Sequence, residues 1–128
     1  MLKKLTLTVA AMFILAIAST AVFAQDVTIT EADIPVFLKV YADPSAAAVS
    51  TAIAGLGADA QRFAIANVKI LSIYGAKQSG LSGDALATQL AAQPAPATVT
   101  AEEIAIYDAN EAQIKDALDK FSEANMPK

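Results

Sequence analysis

The chain has 128 residues, 55% of them hydrophobic and 17% charged, with nine basic and 13 acidic side chains and no Cys or His. Lacking soft ligands and any base that titrates near neutrality, it excludes a conventional zinc site, haem ligation, an iron–sulfur cluster, a thiol nucleophile and a Ser-His-Asp triad. No cofactor and no metal is expected, and the chemistry left is that of carboxylates, lysines, tyrosines and hydroxyls.

The N-terminus opens with Lys3 and Lys4, continues as an apolar stretch from Leu5 to about Ala18, and ends in small residues with Val22 and Ala24 at −3 and −1 of a cleavage site. This order of basic, apolar and small-residue regions is that of a secretory signal peptide at residues 1–24. The alternative is an uncleaved N-terminal membrane anchor, since residues 5–24 are just long enough to span a bilayer. Removal of residues 1–24 leaves a single domain of 104 residues with seven basic and 13 acidic side chains, a net charge of −6. Such an exported chain, periplasmic or extracellular, has no disulfide to hold it, so side-chain packing must. Its acidity argues against binding nucleic acid, whose affinity comes mainly from neutralised phosphates. Stable membrane insertion after signal cleavage is not expected either.

Alanine accounts for 24 of the 104 residues and favours helix. The expected fold is all-α, a small bundle of four to five helices. The first covers about 31–42, with Ile34, Phe37, Leu38 and Tyr41 on one stripe. The second begins at Pro44 after Asp43 and ends before Gly55-Leu56-Gly57. The third, about 58–77, is apolar almost all round and belongs in the centre of the bundle. A short fourth helix covers 83–92. Residues 93–98, with Pro94 and Pro96, then read as an extended linker before a last helix over 101–124.

One pattern recurs. Residues 28–37 and 98–107 share T-[IV]-T-x-x-[DE]-I-x-[VI]-[FY]. Each copy is a capping Thr with an acid three residues on, flanked by an apolar staple of Ile29 with Ile34 or Val99 with Ile104. The similarity stops after the first turn, so it reads as one helix-start signal used twice rather than as a duplicated half-domain.

Five residues are candidates for ligand or partner contact. Glu111 falls inside the apolar stripe of a continuous last helix, between Ile104 and Leu118, where a carboxylate is paired, perturbed or at the edge of the core. Arg62 and Lys69, on the mixed face of the central helix, are its expected partners. Asn67 lies on the apolar face of the central helix among Phe63, Tyr74 and Leu71, and a buried amide there requires a partner such as a tyrosine hydroxyl. Tyr74 belongs to a set of aromatics that reads as core with hydroxyls at its rim. Glu102 and Glu103 read as ordinary first-turn acids. Asp108 and Glu111 lie one turn apart, but no calcium-loop, P-loop or dinucleotide-binding pattern accompanies them.

No catalytic set assembles from these residues. The expectation is a non-enzymatic exported protein that binds a protein or peptide partner or self-assembles as a homo-oligomer. A carrier for a small apolar ligand, which needs an enclosed pocket of at least about 300 Å³, is the second reading. A hydrolase using Glu111 is the third.

Overall fold

The computed structural model of the chain describes residues 27–95 and 97–125. The expected signal peptide at 1–24 lies outside the described residues. Among them the structure is entirely helical, with six α-helices and no strand: α1 (Asp33–Val40), α2 (Ala46–Ala54), α3 (Ala60–Gln78), α4 (Gly83–Ala91), α5 (Ala101–Ala109) and α6 (Glu111–Ala124). A 3-10 turn, Gly57–Asp59, leads into α3.

The long helix α3 is the centre of the fold. It packs against α1, α2, α4 and α5, while α1 also touches α2 and α6. Its buried residues run right round the helix, from Phe63, Ile70 and Tyr74 on one side to Ile65, Lys69 and Ile73 on the other. An all-round apolar sequence is stable only when every face is covered by a neighbour. The helix ends where Gly80 takes φ +96°, a left-handed conformation that a side chain disfavours, and Leu81 N–H closes on Ala76 C=O at 3.1 Å.

Sequence and structure part company at Asn110, where the expected last helix is two helices. Asn110 N–H bonds to Tyr107 C=O at 2.9 Å, and its side-chain Nδ2 takes Ile106 C=O, also at 2.9 Å. The amide thus occupies the carbonyl that a continuous helix would give to the backbone. The next turn restarts with Ile114 N–H on Asn110 C=O at 3.0 Å. The break raises the helix number to six and shifts the phase of everything beyond it: Ile114, Leu118 and Phe121 are buried on α6, while on α5 the buried positions are Glu103 and Tyr107, with Ile104 half-buried.

Other starts follow their sequence signals. Thr100 and Glu103 form a reciprocal capping box at α5. At α1 the matching pair is partial: Thr30 N–H donates to Asp33 Oδ2 at 2.8 Å, and the helix begins at Asp33, just ahead of Pro35. Ser45, rather than Asp43, caps α2. The segment between α4 and α5 turns back on itself, with Ala97 N–H on Pro94 C=O at 2.9 Å and Val99 N–H on Leu90 C=O at 3.1 Å. Finally Asn125 staples the two ends of the chain's packing, accepting from Ala46 N–H at 3.1 Å and donating to Pro44 C=O at 2.9 Å. No helix among the described residues is long and apolar enough to cross a membrane.

Candidate functional site

A cleft of about 240 Å³, open to solvent, lies where α1, the 3-10 turn and the start of α3 meet. Its walls are Val36, Phe37, Leu56, Phe63 and Ala66, and its rim is Ala32, Asp33, Asp59 and Arg62. The aromatic wall is fixed from behind: the Phe37 ring lies 6.4 Å from Phe63 and 4.6 Å from Tyr41, and Tyr41 meets Phe121 edge-on at 5.3 Å. These offsets are favourable aromatic geometries that hold the rings in place. At the rim, Arg62 grips Asp33 in a fork, Nε to Oδ1 at 2.9 Å and Nη2 to Oδ2 at 2.8 Å. Burial would raise the Asp33 carboxyl, but the Arg62 fork and the Thr30 amide together hold it below the usual value. Arg62 also donates to Thr28 C=O at 3.0 Å. Asp59 is exposed and makes no capping bond to α3.

Seven residues along α3, and therefore on nearly the same face, Lys69 makes the corresponding contact inside the protein. Its ammonium lies 2.8 Å from Glu103 Oε2, with side-chain exposures of 6% and 0%. Glu103 also accepts from Ile29 N–H at 2.7 Å and Thr100 N–H at 2.9 Å, and Lys69 donates to Val27 C=O at 2.6 Å. Burial pushes the Glu103 carboxyl up, and these donors outweigh it, leaving it below its ordinary value. The two acids of the repeated sequence pattern, Asp33 and Glu103, thus meet the two cations of one face of α3. Between them runs the segment 27–30, whose Val27 and Ile29 are buried. It is held by Arg62, Lys69 and Glu103 rather than by any strand pairing.

Asn67 is fully buried and its Oδ1 accepts from Tyr41 O–H at 2.9 Å, while its Nδ2 has no partner. The tyrosine that serves it is Tyr41 on α1. Tyr74 instead donates to Asp119 on α6, and both burial and that carboxylate raise its phenol.

Glu111 shares the face of Leu118, seven residues on in α6, but it is not buried there and does not meet Arg62 or Lys69. As the first residue of α6 it sits at the solvent edge of the core, with 42% side-chain exposure, and accepts from Lys77 at 2.9 Å. Lys77 also bonds Asp108 and lies 5.1 Å over the Tyr107 ring. Burial lowers the Lys77 ammonium, and the two carboxylates more than reverse this. Asp108 and Glu111 therefore do converge on a cation, but it is a lysine. Among the described residues no group of three or more acids is placed to hold a metal ion.

The five candidates therefore separate into a cleft rim (Arg62), two interior polar pairs (Lys69, Asn67), a buried core ring whose hydroxyl reaches Asp119 (Tyr74) and a surface cluster around Lys77 (Glu111). Composition and helical wheels did not single out Asp33 or Asp59, and Glu103 read only as an ordinary first-turn acid. The signal that points to two of them is the repeated helix start, whose third-position acid recurs while α3 carries cations two turns apart. Compared with family models, curated proteins and solved structures, the chain matches none.

Proposed function

We propose that this is an exported, non-enzymatic binding protein of the cell envelope, whose partner is a protein or peptide that inserts one apolar side chain into the α1–α3 cleft. The observation that carries the reading is the cleft itself: apolar walls, fixed aromatic rings and a polar rim, the usual anatomy of a small recognition site. Its volume of about 240 Å³ and its open mouth suit a single side chain supplied from outside. A carrier for a free apolar molecule would be better served by a larger and enclosed cavity.

The remaining polar residues support binding over catalysis, because their bonds are spent on structure. Lys69 and Glu103 hold the segment 27–30, and Glu111 and Asp108 hold Lys77. Export rests on the basic, apolar and small-residue order of residues 1–24.

The test is a ¹H–¹⁵N spectrum of the full chain, purified as the cell delivers it, titrated with blocked tripeptides whose central residue is Phe, Leu or Ser. The Phe and Leu peptides are expected to shift the amides of Ala32, Leu56 and Phe63, and the Ser peptide to leave them unmoved. Equal shifts from all three, or shifts confined to α5 and α6, would overturn the reading. N-terminal sequencing of the purified chain tests export, with Gln25 as the expected first residue.

A further inference from the structure

From the charge around the cleft we infer that its occupant is cationic: a peptide segment in which the inserted apolar side chain is flanked by Lys or Arg. The inference rests on the binding reading above and adds the chemical class of the partner.

The rim carries two acids and one cation. Both oxygens of Asp33 are taken by the Arg62 fork, so that pair presents little net charge to a visitor. What remains is Asp59, exposed and free of any capping bond, which Arg62 attracts without a hydrogen bond; the nearby Glu31 lies outside the cleft lining and accepts from Asn110 at 3.3 Å. The macrodipole of α3 offsets part of the Asp59 charge with about half a positive charge at its N-terminus, which leaves the mouth weakly negative. The chain as a whole has the same sign, with a formal charge of −4, so the longer-range field also draws in a cation. An apolar socket with an acidic lip excludes an acidic peptide by leaving like charges side by side, and that exclusion supplies specificity as much as the attraction does.

The experiment compares three blocked tripeptides, Lys-Phe-Lys, Glu-Phe-Glu and Lys-Ser-Lys, against the full chain in the same titration at low salt. Lys-Phe-Lys should bind roughly tenfold more tightly than Glu-Phe-Glu, the sum of a few modest exposed charge interactions. Lys-Ser-Lys should leave the cleft amides unmoved. Reversing the lip with Asp59→Lys should abolish the preference, Asp59→Asn should reduce it, and 1 M salt should shrink it by screening. Each variant is checked for the wild-type circular dichroism spectrum. A Lys-Phe-Lys to Glu-Phe-Glu ratio near one, or a ratio that Asp59→Lys leaves unchanged, overturns this inference while the binding reading survives. Failure of both Phe peptides to move the cleft overturns the two together.

Discussion

Replacing Lys69 by Met removes one charge from a pair that solvent barely reaches, with exposures of 6% and 0% on its two side chains. The carboxylate of Glu103 then stays buried with only the Ile29 and Thr100 amides, at 2.7 and 2.9 Å, to compensate it. Stranding one member of a buried ion pair costs about 3 to 5 kcal/mol. A domain of this size has roughly 5 to 15 kcal/mol in total, so Lys69→Met should shift the urea midpoint far toward zero. The loss also reaches the segment 27–30, because Val27 C=O loses the ammonium that binds it. The double variant Lys69→Met/Glu103→Gln removes both charges, and its amide oxygen still accepts one N–H. It should recover most of the loss, as charge-free replacements of buried pairs commonly do. Urea unfolding at pH 7, followed by circular dichroism at 222 nm, gives all three stabilities. The reasoning fails if Lys69→Met costs less than about 1 kcal/mol, the range of an exposed pair, or if the double variant is as unstable as the single one.

Acid should weaken the wild type through the same residues. The Glu103 and Asp33 carboxyls sit below their ordinary values of 4.5 and 3.8, so the stability they contribute is complete above those values and disappears as pH falls through the lower folded ones. Urea midpoints from pH 7 to 3 should fall less steeply in Lys69→Met/Glu103→Gln, and equal slopes would contradict this. Thr100→Ala, which opens the capping box, should cost about 1 kcal/mol, and Thr30→Ala, whose hydroxyl donates to Asp33 rather than capping a helix N–H, clearly less; the reverse order in thermal unfolding would be inconsistent. Tyr41→Phe strips the Asn67 side chain of its bond to the Tyr41 hydroxyl and should cost about 1 to 3 kcal/mol, while Tyr41→Phe/Asn67→Leu should regain much of it; a double variant weaker than the single one would show the amide is better satisfied than the geometry indicates. Glu111→Gln, on an exposed pair, should change stability by no more than about 1 kcal/mol, and a larger loss would restore Glu111 to the interior.

The all-helical class was legible because alanine content and 3.6-residue periodicity act locally, within one turn of chain. The central place of α3 was legible for the same reason: a helix apolar on every side has nowhere else to go. Asn110 was not, since nothing in an apolar wheel distinguishes an exposed asparagine on a helix from one whose amide takes Ile106 C=O. Once that bond breaks the helix, wheel angles no longer carry across it, and Glu111 becomes the first residue of α6, at the edge of the core rather than inside a continuous stripe. The partners of Arg62 and Lys69 depended on which acids face α3, a question of tertiary placement. The repeated helix start held the answer in part, because a first-turn acid that follows a buried staple points back toward whatever the staple packs against. The cleft was wholly unreadable, being made where residues 32–37 of the α1 region meet residues 56–66 of the 3-10 turn and α3, a tertiary contact that no local pattern encodes.

The most direct test of the account is to block the cleft and ask whether binding goes with it. Ala32 is exposed at the mouth and lines the cleft without belonging to the buried core, so Ala32→Trp places a large side chain over the opening at little expense to the fold. The affinity of this variant for the blocked Lys-Phe-Lys peptide, measured by titration calorimetry beside the wild type, is predicted to fall at least tenfold with the thermal midpoint unchanged. Undiminished affinity in a folded Ala32→Trp protein would contradict the account.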